Sequence, residues 1–406
     1  MRTSRRALLL GAAATPTVFA FSSAWAKGVY DQGASDTGIK IGNTNPYSGP
    51  ASSYSTLGHG ETAYWKMVND KGGINGRKIE FISLDDGYSP PKTVEMVRQL
   101  VEDDGVFCCF NTLGTPTNTA VHKYFNRMKV PQLYVATGAS KWGDPEHFPW
   151  TMGFQPDYRT EAILYAKHIL ANVKDPKIGV LYQNDDYGKD YFEGFKQGLG
   201  KQAGLITMAV TYETTDPTVD SQTIQLSTSG ANVYFIVAIP KFAAQTLRKA
   251  AALGWKPVKY LNNVSSSVTA TMQPAGFDNC EGTITGLYLM DPTDHQWDSN
   301  EDMKTWRAFM AKYMPGANTA DGNYIYAYAA SYLMEQTLKK CGDTLTRANL
   351  MKQAASFHHF RVPLLLPGIS VSTSPTDFYP IQAVRLASFT KGTWKLFGDV
   401  LSNESV

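Results

Sequence analysis

The chain has 406 residues, 43% of them hydrophobic and 18% charged, with a formal net charge of +2. That length exceeds the size at which one hydrophobic core stops growing, so two domains are expected. The near-neutral balance removes the electrostatic motive for binding nucleic acid, and no run beyond the first residues approaches the ~20 apolar residues that span a bilayer.

Residues 1–26, MRTSRRALLLGAAATPTVFAFSSAWA, combine a basic start, an apolar run and the small-x-small end Ala24-Trp25-Ala26, the pattern of an export signal cut after Ala26. Arg5-Arg6 after Thr3-Ser4 looks like a twin-arginine signal, with general secretion as the alternative; both routes end in the periplasm. No Cys follows to take a lipid anchor. Loss of the three signal arginines lowers Lys+Arg from 38 to 35 against 36 Asp+Glu, a mature charge near −1.

Strand and helix patterns then alternate, which predicts α/β architecture with parallel sheets. IKIGNTN reads as a strand, and GHGETAYWKMVNDKGG as an amphipathic helix closed by glycines. RKIEFISLDD is a second strand and PPKTVEMVRQLVEDDG a helix opened by prolines. VFCCFN, TNTAVHKYFNRMK and VPQLYVAT follow as strand, helix and strand.

A second series starts at RTEAILYAKHILANV and runs through KIGVLYQND, KDYFEGFKQGLGKQAG, ITMAVTYE, DSQTIQLSTSG, ANVYFIVAIP, KFAAQTLRKAAALG and VKYLNN. It repeats the same logic and predicts a second doubly wound domain. NTADGNYIYAYAASYLMEQTLKKCG is a long helix apolar on several faces, suited to a buried return to the first domain. The Gly- or Pro-containing extended pieces 149–158, 285–294 and 361–370 are three candidate hinge strands. AVRLASFTKGTWKLFG near the end is hairpin-like.

Of the four cysteines, Cys108 and Cys109 are neighbours in an apolar strand and suit burial rather than pairing. A Cys280–Cys341 disulfide stays open, because sequence does not supply their separation. No metal-ligand spacing is present, and His358-His359 reads as a solvated pair. Neither a Gly-x-Ser-x-Gly elbow nor a phosphate-binding Gly-x-Gly-x-x-Gly appears, so neither a hydrolase nor a nucleotide site finds support.

IKIGNTNPYSGPASSY resembles the first strand and loop, and NDKGGINGRKIEFISLDDGYSPPK the helix exit and second strand, of the solute-binding proteins of branched-chain amino acid type ABC importers. The resemblance covers nearly all of the chain after the signal. It implies a type I periplasmic binding protein: two doubly wound parallel-sheet lobes joined by three hinge strands, with lobe 1 at 28–153 plus 290–364 and lobe 2 at 154–289 plus 365–406. It further implies a monomer that captures a small ligand without cofactor or chemistry and delivers it to an inner-membrane ABC permease. A sensory protein of the same fold is the alternative.

The site residues follow the same resemblance. Thr115, in Thr-Leu-Gly-Thr-Pro-Thr-Asn-Thr at 112–119, falls where the family's Gly-Ser-Pro-Thr serine holds a ligand carboxylate. A strand end followed by a helix N-terminus suits an anion, because free N–H groups and the helix dipole both favour negative charge. The alternative is that Thr115 or Thr117 caps the helix. Gly138 and Ser140, in Ala-Thr-Gly-Ala-Ser-Lys-Trp at 136–142, are similar to the family's Ala-Ala-Thr element and would offer a backbone group and a hydroxyl to the same carboxylate. Trp142 either stacks on the ligand or packs its own loop.

Tyr187, in Asn-Asp-Asp-Tyr-Gly at 184–188, matches the family's Asp-Tyr-Gly turn and provides the opposite wall, with Asp185 and Asp186 suited to capping. Tyr54 matches a residue that reaches the bound side chain. The sequence departs from amino acid binders at 261–276, LNNVSSSVTATMQPAG, which contains no acid to pair a ligand ammonium, and Ile239-Pro240 is apolar where a tyrosine is common. An unpaired buried cation is costly, so the expected ligand is an aromatic or apolar carboxylate, with a branched-chain amino acid as the alternative.

Overall fold

A computed structural model describes residues 28–402; the export signal expected at residues 1–26 lies outside the described residues. The first strand, β1 (Val29–Tyr30), is followed by β2 (Gly38–Asn45), β3 (Lys78–Asp85), β4 (Cys108–Phe110), β5 (Gln132–Val135) and β6 (Thr151–Gly153). The five strands β2–β6 form one all-parallel sheet in the order β3-β2-β4-β5-β6.

The chain then builds β7 (Ile178–Gln183), β8 (Ile206–Tyr212), β9 (Val233–Val237), β10 (Val258–Leu261) and β11 (Ile284–Leu287), passes through β12 (Thr344–Leu345), which pairs with β1, and ends in β13 (Ala383–Thr390) and β14 (Thr393–Ser402). The second sheet runs β14-β13-β11-β10-β9-β7-β8. β9, VYFIV, is buried along its whole length, as a strand covered by helices on both faces must be.

The two sheets are the centres of two α/β lobes, as the alternating pattern predicts. One feature differs from a purely parallel reading: β13 and β14 run antiparallel at the edge of the second sheet. A two-residue loop cannot make a parallel crossover. Lys391 and Gly392 both have positive φ (49° and 82°), the geometry whose twist suits a tight hairpin.

The chain passes from the first lobe to the second after β6. It returns after β11, since the helix Gly322–Cys341 packs on the helix Ser55–Asp70 of the first lobe. Tyr134 of β5 and Thr337 of that returning helix share a 2.8 Å hydrogen bond. The last crossing runs beside the second: Leu366 N donates to Tyr288 O at 2.9 Å and Met290 N to Leu364 O at 2.9 Å, so two connecting segments pair antiparallel.

All four cysteines are buried free thiols. Cys341 ends the helix packed on the first lobe and Cys280 ends a short helix beside the second sheet, so the disulfide left open by the sequence is not formed. His358 and His359 are both exposed. Among the described residues no helix is long and apolar enough to cross a membrane.

Candidate ligand-binding cleft

The lobes meet over a cavity of about 100 Å³, taken as the space open to the centres of water-sized molecules. The first lobe contributes Tyr54, Leu57, Tyr88, Leu113, Gly114, Thr115 and Ala136; the second contributes Tyr187, Ile239 and the loop Asn263–Ser267. The connecting segments add Gln155, Tyr158, Tyr288 and Asp291, and the returning helix Gly322–Cys341 adds Gly322, Asn323 and Tyr326. Six tyrosines line it, and Asp291 is the only charged side chain on its wall among the described residues.

Strand β4 delivers Thr115. Between them Gly114 takes φ 99°, where a Cβ would stand 2.5 Å from the Tyr88 ring, so only glycine permits the turn. The helix Thr115–Met128 begins there with no side-chain cap. Thr117 does not cap it: its hydroxyl donates back to Leu113 O and, at 2.9 Å, to Gly114 O. Thr115 is buried and its hydroxyl meets that of Thr137 at 2.6 Å. Thr115 therefore stands on the cavity wall at an N-terminus with no side-chain cap.

From the second lobe, Asp185 caps the helix Asp186–Leu199, accepting from Tyr187 N at 3.0 Å and Gly188 N at 3.3 Å. That cap turns Tyr187 into the cleft. Its ring is 2% exposed, and its hydroxyl has no hydrogen-bond partner. A buried unpaired hydroxyl costs about 1–3 kcal/mol, so this atom marks a place for a ligand group. Tyr54 also lines the cavity, and its hydroxyl donates across the cleft to Val264 O at 2.8 Å.

Gly138 and Ser140 require correction, because neither reaches the cavity. The Tyr158 ring lies over Gly138, so that a Cβ there would stand 2.7 Å from Tyr158 Cδ1 and Cε1. Ser140 is taken by the protein's own acid: its N–H and its hydroxyl each donate to the Asp190 carboxylate at 2.7 Å, and Arg159 Nε donates to the same group at 2.7 Å. Trp142 packs its loop, 1% exposed, edge-on to His122 with Nε1 donating to Thr137 at 3.3 Å.

Tyr88, Tyr158, Tyr288, Tyr326 and Asp291 were not legible as site residues from sequence, although Tyr158, Tyr288 and Asp291 lie in the predicted hinge pieces. Chain segments crossing between two lobes necessarily floor the cleft, and that signal was available. Asp291 accepts from Thr293 N at 2.8 Å and from the Thr293 hydroxyl. Burial pushes its carboxyl up to about 6, Asp294 and Asp321 add to the rise, and the Thr293 bonds oppose it. The loop 261–276 carries no acid, but the cavity has one from this connecting segment.

Residues 38–393 match the family model for the periplasmic binding protein. The chain belongs to the periplasmic binding protein family. Membership places it among exported solute-binding proteins of the periplasm. This periplasmic binding protein is 26% identical over 363 residues to the Leu/Ile/Val-binding protein homolog 1 of Brucella suis biovar 1, covering 87% of this chain and 90% of that one. Its fold is shared with a branched chain amino acid ABC transporter protein from Thermus thermophilus with bound valine (TM-score 0.81, 13% identity, 90% of this chain and 97% of that chain). It is shared also with a fatty acid ABC transporter substrate-binding protein from Thermomonospora curvata (TM-score 0.78, 19% identity, 94% and 95%).

Proposed function

We propose that this periplasmic binding protein captures a small carboxylate with an apolar or aromatic body and delivers it to an inner-membrane ABC permease. The observation that carries the reading is Thr115 at a helix N-terminus without a side-chain cap, on the wall of an inter-lobe cavity lined largely by aliphatic side chains and tyrosines. Such a terminus offers an anion N–H donors and a favourable dipole without a basic side chain, and the Tyr187 hydroxyl supplies a further donor. The working unit on this reading is a monomer, exported by the twin-arginine route, with lobe 1 at 28–153 plus 290–364 and lobe 2 at 154–289 plus 365–406. The Thermomonospora protein is named for fatty acids and the Thermus protein holds valine, so both chemistries occur on this fold and the choice rests on side chains.

Asp291 supports a second reading, in which it pairs the ammonium of an amino acid. A thermal-shift screen separates the two, since ligands bound only by the folded state raise its melting temperature. Phenylpropionate, hydroxybenzoates, phenylpyruvate and medium-chain fatty acids are expected to shift the melt; phenylalanine, leucine and glutamate are not. The reverse pattern assigns Asp291 to an ammonium and removes the carboxylate reading.

A further inference from the structure

The segment that leaves β11 carries Tyr288, Leu289, Met290 and Asp291 along the cavity wall. Met290 N donates to Leu364 O at 2.9 Å and Leu289 bridges Leu365, so the pairing of the two connecting segments fixes where Asp291 stands. One of its oxygens is used within its own turn: Oδ1 accepts from Thr293 N at 2.8 Å and from the Thr293 hydroxyl, which also meets the Thr393 hydroxyl at 3.0 Å. Among the described residues Oδ2 receives no hydrogen bond and Asp291 is in no ion pair; the Lys395 ammonium goes to Asp294 instead, at 2.8 Å. The polar side chains that share the wall donate elsewhere. Ser267 donates to Asp321 at 2.9 Å, Asn323 Nδ2 to the Thr56 hydroxyl at 3.2 Å, and Asn263 Nδ2 to Gly286 O. Asp291 Oδ2 is therefore an acceptor on the cavity wall for which the protein supplies no donor.

We infer that Asp291 Oδ2 accepts a hydrogen bond from a hydroxyl carried by the ligand, so that the cleft is built for a phenolic monocarboxylate whose hydroxyl lies away from its acid group. The inference rests on the carboxylate reading of the cleft and deepens it by naming the second polar group of the ligand. Two carboxylates repel, so the acid group of the ligand goes to the helix N-terminus at Thr115 and the group that meets Asp291 is a donor elsewhere on the molecule. An acid without such a donor leaves Oδ2 stranded when the lobes close, which is costly for a charged oxygen taken out of water. A hydroxyl suits the position better than an ammonium. Burial pushes the Asp291 carboxyl up to about 6, with Asp294 and Asp321 adding to the rise, so part of it is neutral just below neutral pH. A hydroxyl bonds either form, whereas an ammonium needs the charged one and brings three N–H groups to a single open oxygen of Asp291. The tyrosines of the wall suit an aromatic body.

The test compares 3-phenylpropionate with 3-(4-hydroxyphenyl)propionate, which differ by that hydroxyl alone, through their dissociation constants at pH 7.5 by calorimetry. The wild type is expected to bind the hydroxy acid about tenfold more tightly, the worth of a hydrogen bond to a charged group. Asp291→Asn, which keeps the shape of the side chain, is expected to narrow that preference to about threefold, and Asp291→Ala, which removes the acceptor, to abolish it. Binding of 3-phenylpropionate by each variant reports that its cleft is intact. Equal affinities in the wild type overturn the inference, and so does a preference that survives both substitutions. Tighter binding of 3-(4-aminomethylphenyl)propionate than of the phenol assigns Asp291 to an ammonium and overturns it as well. The uncharged pair 3-phenylpropan-1-ol and 3-(4-hydroxyphenyl)propan-1-ol separates this outcome from failure of the carboxylate reading. If neither acid binds while the phenolic alcohol is preferred and Asp291→Ala removes that preference, the carboxylate reading falls and the Asp291 subsite stands; if no compound binds, both fall.

Discussion

At the scale of single residues, the cleft contains one side chain whose chemistry is incomplete and one whose charge is unmatched. The Tyr187 hydroxyl is buried without a partner. In Tyr187→Phe the ligand-free protein should melt at the same or a slightly higher temperature, because an unsatisfied hydroxyl is removed. Ligand affinity should fall about five- to tenfold, the worth of one hydrogen bond; unchanged affinity by calorimetry refutes a ligand contact at that atom. Burial pushes the Asp291 carboxyl up to about 6. Above that pH its carboxylate repels a bound acid, so binding of an acid should strengthen as pH falls from 7.5 to 5.5, by roughly five- to tenfold. An amino acid held through its ammonium would weaken over the same interval, because protonation removes its counter-ion. Asp291→Asn should flatten either profile, and dissociation constants at the two pH values decide the sign.

Among elements, the closed arrangement is held by polar contacts between lobes. The loop after β5 meets the helix Asp186–Leu199 through Ser140 and Asp190 and through a Lys141–Asp186 ion pair at 2.6 Å. Ser267 of the second lobe donates to Asp321 at 2.9 Å, at the start of the helix Gly322–Cys341. The Lys141–Asp186 pair is partly exposed and contributes little. The Asp190 carboxylate is 8% exposed and receives three hydrogen bonds, two of them from across the cleft. Bonds to a buried charge are worth ~1.5–3 kcal/mol each, enough to move an open–closed ratio by ten- to a hundredfold. Asp190→Asn is therefore expected to populate the open form, with a larger radius of gyration than wild type in X-ray scattering of the ligand-free protein. Equal radii would show that Asp190 does not govern closure.

For the molecule as a whole, most of the fold was legible in the sequence because each element carries its own local signal. IKIGNTN and RKIEFISLDD read as strands and appear as β2 and β3, and VYFIV carries the unbroken apolar run of a parallel strand buried on both faces. The antiparallel edge was visible only as a hairpin, since strand direction within a sheet depends on what the hairpin docks against. Thr115 and Tyr187 were legible because a strand end followed by a helix start points a side chain outward at a place set by local geometry. Ser140 and Gly138 could not be judged in that way. Whether a hydroxyl or an amide is free for a ligand depends on what the other lobe brings to it, and here Asp190 and Tyr158 come from beyond the first crossing. The same holds for Asp291, which its neighbours in sequence show as a turn residue and which becomes, among the described residues, the one acid on the cavity wall when the connecting segments are drawn together. The sequence by itself determined the two-lobe α/β architecture and the helix starts that face the cleft, because periodicity, caps and turns are local. The tertiary structure decided which donors remain for a ligand, because burial and pairing across a cleft join residues far apart in the chain.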